Sequence, residues 1–144
     1  MSQAIRVGIA IVGRQGYYLI RERPARAGSP MPGFWEFPGG KCEQGESPEA
    51  AAVRECWEET ALRVVVGRQR RVITHQYPHG LVELHYLDCL LEDAATPPAA
   101  DSGFRWVAAA ELAGLRFPDA NDPILKELAE EAGLDRRAEA PSSS

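Results

Sequence analysis

Cysteine is scarce and unpatterned. Cys42, Cys56 and Cys89 are odd in number, lack CxxC spacing and sit inside hydrophobic segments, which argues against a disulfide framework and a zinc site. A reduced, cytoplasmic chain is expected. Long hydrophobic runs are missing too: the longest, Val7 to Val12, is far short of the ~20 residues that span a bilayer, and only Arg6 precedes it nearby. Neither a transmembrane helix nor an export signal is therefore expected. Nor is there an excess of basic charge. Sixteen Lys and Arg against 21 Asp and Glu give a formal charge of −5, so nothing points to a nucleic-acid polymer or an anionic membrane as partner. An acidic enzyme can still hold polyphosphate through a metal ion. Internal repeats are absent, and so is any linker long enough to divide the chain. At 144 residues, 44% hydrophobic and 26% charged, the sequence is sized for one domain with its own core.

What is present is strand patterning around two well-marked helices. Arg6–Val12 and Tyr17–Arg21 are β-type runs flanking Gly13-Arg14-Gln15-Gly16, which predicts a hairpin. A turn-rich loop with Pro24, Gly28, Pro30, Pro32 and Gly33 follows. The first helix opens with Ser47 as N-cap, Pro48 at the first helical position and Glu49 near the positive end of the dipole, and should run to about Thr60. Arg63–Val66, Arg71–His75, Leu81–Leu91 and Phe104–Val107 read as strands, with Val82, Leu84 and Tyr86 on one face of the third. A second helix begins at Asn121 or Asp122, has Pro123 at its start and ends near Gly133. Residues 1–135 form the expected domain and 136–144 a polar, frayed, disordered tail. The class is α/β, a single sandwich.

The chemistry concentrates on the first helix. At 100° per residue, Glu55, Glu58 and Glu59 fall within an arc of about 100°, with Val53, Cys56, Trp57 and Thr60 on the opposite, packing side. Three carboxylates so placed repel one another, and Glu58 and Glu59 also face the unfavourable end of the helix dipole. A bound cation reverses that cost. Clustered hard oxygen ligands suit Mg2+ or Mn2+, which keep waters and take further ligands from substrate phosphates. For an arbitrary Glu-rich helix a solvated acidic face is the ordinary reading. The segment upstream argues otherwise.

That segment is Phe34-Trp35-Glu36-Phe37-Pro38-Gly39-Gly40-Lys41, whose glycines let backbone approach a ligand closely, followed by Glu43, Gly45 and Glu46. Gly40, five residues, Glu46, seven residues, then Arg54-Glu55-Cys56-Trp57-Glu58-Glu59-Thr60-Ala61-Leu62 resembles the Nudix box, Gx5Ex7REUxEExGU. Two departures stand out: Ala61 in place of the final glycine, which makes the left-handed turn after the helix strained, and Cys56, a smaller apolar residue than usual. The resemblance extends over about Ile5 to Leu128 and is closest to MutT-like enzymes, which hydrolyse oxidised purine nucleoside triphosphates. It rests further on Arg23, the Glu36–Lys41 stretch, Arg105-Trp106 and Phe117–Pro123.

The resemblance implies a Nudix α/β/α sandwich with a mixed sheet. It also implies a Mg2+- or Mn2+-dependent pyrophosphohydrolase converting 8-oxo-dGTP or a related triphosphate to the monophosphate and pyrophosphate. Glu55, Glu58, Glu59 and the Gly39 or Gly40 carbonyl would hold metal, and Glu55 would be general base or a second ligand. Arg54 would orient a glutamate such as Glu46 or Glu58. Arg23 would contact the nucleotide, Lys41 the phosphates and Asn121 the base. From the residues alone, Arg23 reads equally as a surface strand end, Lys41 as an exposed lysine, and Asn121 as an N-cap or turn residue. Gly80 replaces a base-pocket arginine of the MutT pattern, and Ala100, beside Asp101, replaces a glutamate near the metal. ADP-ribose, dinucleoside polyphosphates and coenzyme A are substrates elsewhere in the family, so specificity stays open, as does a binding module without turnover. His75, His79 and His85 lack metal-site spacing and read as strand-surface or core residues; Trp35, Trp57 and Trp106 read as core.

Overall fold

Gln15 and Gly16 close the first hairpin. Strands β1 (Ile5–Arg14) and β2 (Tyr17–Glu22) meet at these two residues, whose φ values of 52° and 83° make the mirror-image turn that suits strand twist. The computed structural model describes residues 4–24 and 31–139, so Gly28 and Pro30 of the expected loop and residues 140–144 of the expected tail lie outside the described residues. After the loop come β3 (Trp35–Glu36), β4 (Gly39–Lys41), α1 (Pro48–Thr60), β5 (Val64–Tyr77), β6 (Gly80–Leu91), β7 (Arg105–Ala108) and α2 (Asp122–Glu139). Strand order is β3-β2-β1-β6-β5, with β4 also paired to β1 and β7 to β2. The central pair, β1 with β6, is parallel and the other pairs are antiparallel, so the sheet is mixed, as expected.

Strand periodicity of two divides the core into two layers. Ala10 and Val12 of β1 and Leu87 and Cys89 of β6 face α1, where they meet Ala52, Cys56 and Leu62. The intervening Ile11 and Tyr86 face the other way, against Ile124 and Leu128 of α2 and Phe117. Each sheet face thus carries one helix, and the architecture is an α/β/α sandwich.

Three expectations change. The expected strands Arg63–Val66 and Arg71–His75 merge into one that starts at Val64, because β5 absorbs two register shifts, between Val66 and Arg68 and between Gln69 and Arg71. The second shift accompanies a buried Arg70, whose side chain is 5% exposed and bonded to Asp88 at 2.7 Å and to Glu131 of α2 at 2.5 Å. Helix α2 continues past Gly133 to Glu139, so residues 136–139 of the expected tail are helical; a single interior glycine costs only ~1 kcal/mol, and no proline intervenes. Trp57 leaves the packing face of α1 and is 45% exposed, with the Arg63 guanidinium 4.3 Å from its ring centroid. The buried positions Pro48, Ala51, Ala52, Cys56 and Thr60 define the packing face, and Trp57, 100° beyond Cys56 around the helix, falls outside it. A Cβ added at Gly8 of β1 would fall 2.1 Å from the Pro48 carbonyl oxygen, and the helix settles on that gap through Ala51, Ala52 and Cys56.

Candidate active site

Helix α1 starts and stops as its residues dictate. The Ser47 Oγ accepts the Ala50 N–H at 3.1 Å, and at the other end Ala61 takes the left-handed conformation (φ 62°, ψ 24°) while its N–H bonds the Trp57 carbonyl. The turn expected of a glycine therefore survives with alanine. Buried Thr60 tightens that end, donating its hydroxyl to the Cys56 carbonyl at 2.6 Å and accepting the Leu62 N–H at 3.1 Å.

On the polar face the carboxylates occupy three different settings. Arg54 is the hub for two: its Nη1 donates to Glu55 at 3.0 Å and to Glu58 at 3.1 Å, while Nε and Nη2 grip Glu46 at 2.8 and 2.9 Å. It also donates to the Lys41 carbonyl at 3.2 Å, tying α1 to β4. The Arg54 hydrogen bonds, helped by the Glu43 N–H, hold the Glu46 carboxyl down at about 2. Glu58 is half exposed. Glu59 is the least exposed of the three, accepting the Gly39 N–H at 3.0 Å with Arg21 Nη2 at 3.5 Å. Burial pushes its carboxyl up to about 7 against the lowering pull of Gly39 and Arg21, and the charges of Glu36 and Glu55 add to the rise.

Gly40 explains why β4 can lie so close. A Cβ there would sit 2.4 Å from Glu55 Cδ, so only glycine leaves the cradle that Glu55 occupies. Among the described residues, no three His, Cys, Asp or Glu side chains converge as a ready-made metal cage. The donor set is nonetheless entirely hard oxygen, gathered beside an open glycine backbone, and it fits a hard divalent cation in its chemistry.

Gly39 and Gly40 also line a cleft of about 380 Å³. Its floor is the two central strands, through Ile9 of β1 and Leu84 and Tyr86 of β6. Arg23, Lys41 and Asn121, from three separate parts of the chain, all line it. The structure thus brings all three expected substrate contacts to one cavity, and the glycine backbone joins that cavity to Glu55 and Glu59. Asn121 is held rather than capping: its Oδ1 accepts the Tyr86 hydroxyl at 3.0 Å and its Nδ2 donates to the Pro118 carbonyl at 3.0 Å. Burial raises the Tyr86 phenol, which therefore stays a donor.

Sequence reasoning missed Arg21 as a site residue and gave Glu36 no role of its own. Glu36 accepts from Arg21 Nε at 2.8 Å and Arg23 Nε at 2.9 Å, and Arg21 continues to Glu59 and to the Ser102 carbonyl at 3.4 Å. The signal was available: Arg21 and Arg23 share a strand face at i, i+2. The loop carrying Ala100 and Asp101 lies at the end of α1, where the Ala99 N–H donates to the Thr60 carbonyl, and Asp101 is exposed. Of the tryptophans, Trp35 is buried beside the cleft and Trp106 half-buried under Arg14. No helix among the described residues is long and apolar enough to cross a membrane.

Residues 7–127 match the NUDIX domain family model, and the chain belongs to that family. A relative described as an 8-oxo-dGTP diphosphatase, from Proteus vulgaris, is 37% identical over 76 residues, 53% of this chain and 66% of that protein. A CTP pyrophosphohydrolase of Escherichia coli K12 is 44% identical over 72 residues, half of each chain. The matches thus span about two thirds and one half of these curated relatives. Among solved structures, the MutT protein of methicillin-resistant Staphylococcus aureus 252, described as a Nudix hydrolase, aligns with a TM-score of 0.71 at 30% identity, covering 91% of this chain and 99% of that one.

Proposed function

We propose that the protein is a cytoplasmic, divalent-cation-dependent Nudix hydrolase that cleaves a free nucleoside triphosphate to the monophosphate and pyrophosphate, with an oxidised purine of the 8-oxo-dGTP type as substrate. One observation carries the reading: the Gly39–Gly40 backbone touches Glu55 and Glu59 on one side and lines a nucleoside-sized cleft on the other. A nucleotide seated in the cleft has its phosphates led to the carboxylates. Glu55, Glu58, Glu59 and the Gly39 carbonyl would hold a Mg2+ or Mn2+ ion, which would supply charge neutralisation and polarisation of the phosphorus. Lys41 and Arg23 hold the nucleotide from the cleft walls, and Glu55, cradled against Gly40, serves either as the base for the in-line water or as a second metal ligand. Arg54 acts as a positioning residue through Glu55 and Glu58.

Asn121 supports the oxidised base. With one lone pair bound by Tyr86 and one amide hydrogen bound by Pro118, it keeps one acceptor and one donor position side by side. Oxidised guanine presents an O6 acceptor beside a protonated N7, whereas guanine presents two acceptors. A pyrimidine triphosphate is the second reading, favoured by the 44% identity to a CTP pyrophosphohydrolase. Product analysis with 8-oxo-dGTP, dGTP, CTP, ADP-ribose and Ap4A in the presence of Mg2+ tests both. The proposal expects monophosphate and pyrophosphate from 8-oxo-dGTP at the highest kcat/KM. Preference for CTP selects the second reading, and cleavage of ADP-ribose or Ap4A with none of the triphosphates overturns both.

A further inference from the structure

The tip of the β5–β6 hairpin carries an aromatic ladder with no part in the chemistry described above. His75 and Tyr77 have ring centroids 4.4 Å apart, and Tyr77 stacks on His79 at 5.3 Å with 19° between the planes. Tyr77 and Gly80 are the last paired residues, so Pro78 and His79 form the two-residue loop. Gly80, opposite Tyr77, has a φ of 143° and nothing within 4 Å of where a Cβ would be, so no side chain from that position covers the ladder. Tyr77 and His79 both line the cleft, and His79 is exposed. Strand order puts β5 at one edge of the sheet and β3, bearing buried Trp35, at the other, with β1 and β6 as the floor between. The two aromatic groups are therefore opposite walls of one cavity. Asn121, hydrogen-bonded to Tyr86 of the floor, lines the same cavity.

We propose that His79, backed by the Tyr77 ring stacked on it, binds the face of the nucleobase while Asn121 reads its edge. This deepens the nucleotide reading and rests on it. Every base has a π face, so stacking contributes affinity without choosing among bases. Choice falls to hydrogen bonds that only the right edge completes. The two kinds of contact then separate experimentally. Loss of either ring weakens binding of every nucleotide by a common factor of about 5 to 100, whereas loss of the Asn121 amide changes the ratio between bases.

The test is calorimetric titration of the full chain, with Mg2+ present, using 8-oxo-dGMP, dGMP, CMP and pyrophosphate alone, together with kcat and KM for the triphosphates. Tyr77→Ala and His79→Ala should each weaken all three monophosphates by about 5- to 100-fold, leave pyrophosphate binding unchanged, and raise KM while kcat at saturation holds. Tyr77→Phe and His79→Phe keep a ring and should retain most of the affinity. If Tyr77→Ala melts early, the exposed His79 decides. Unchanged monophosphate affinity in a folded alanine variant, or equal weakening of pyrophosphate, overturns the proposal. Should the wild type cleave no triphosphate while monophosphate binding still depends on both rings, the hydrolase reading falls and the stacking wall stands. With the wild type active and the variants binding normally, the stacking wall alone falls.

Discussion

The two sides of the Gly39–Gly40 backbone are built on different plans. On one side, Glu55, Glu58 and Glu59 come from a single helix, so their spacing in sequence is their spacing in space. On the other, the cleft draws Ile9, Arg23, Lys41, Tyr77, Tyr86 and Asn121 from six separate stretches of chain. The contrast extends to energetics. The carboxylate side sits under electrostatic tension, with Glu46 held near 2 by Arg54 and Glu59 pushed to about 7 by burial. The cleft side is quiet: an apolar floor and a few polar groups already satisfied by neighbours, such as Asn121 between Tyr86 and Pro118. The carboxylate side is built from local sequence, and the cleft side is assembled by topology.

If the two sides divide the work in this way, changes on the carboxylate side should lower turnover and changes in the cleft should alter selection. The largest effects belong to Glu58→Gln and Glu59→Gln, each expected to lower kcat by roughly 10³-fold, since several kcal/mol of metal contribution is lost. Wild-type turnover in both would make this face mere solvated surface. Next comes Asn121→Ala, which should reduce the ratio of kcat/KM for 8-oxo-dGTP over dGTP by about 5- to 150-fold and spare kcat. Equal losses for both nucleotides would break the division between the two sides.

Two smaller effects sharpen the contrast through stability. Glu59 has a folded pKa of about 7, above its ordinary 4.5, so the folded state binds its proton more tightly. Without divalent cations, the wild type should therefore lose stability as pH rises from about 4.5 through about 7, by roughly 2 to 3 kcal/mol. Glu59→Gln keeps an acceptor for the Gly39 N–H and removes the charge, so chelator-treated Glu59→Gln should match the wild type near pH 4.5 and exceed it at pH 8 in urea titrations. Parallel curves across that range would contradict the burial of this carboxylate. The smallest change is Ala61→Gly, which relieves a left-handed alanine at φ 62° and should stabilise by ~1 kcal/mol, a few degrees in Tm, with kcat unaltered.

The same contrast explains what the sequence revealed. Ser47, Pro48 and the glutamate spacing were readable because caps and helix geometry are local rules, and the structure keeps that helix with Ser47 as its N-cap. Trp57 was misplaced because the packing face of α1 is rotated toward Ala51 and Ala52, a rotation set by the sheet it sits on and not by the helix's own periodicity. The bulges that merge two expected strands into β5 depend on pairing with β6, and the continuation of α2 past Gly133 on tolerance of one glycine. Arg21 escaped notice because its partners, Glu36 and Glu59, are 15 and 38 residues away. His79, read as a strand-surface or core residue, is exposed in the hairpin loop and lines the cleft as well, a placement that depends on the pairing of β5 with β6.

The central claim is that the α1 carboxylates form a cation site serving the nucleotide cleft. Pyrophosphate release from the preferred triphosphate should therefore be measured on chelator-stripped protein, then with Mg2+ or Mn2+ added back, for the wild type and for Glu58→Gln and Glu59→Gln. The account predicts no release in EDTA and saturable recovery in the wild type, with recovery needing more cation and reaching a lower plateau in both variants. Full release in EDTA, or identical cation dependence in all three proteins, would contradict it.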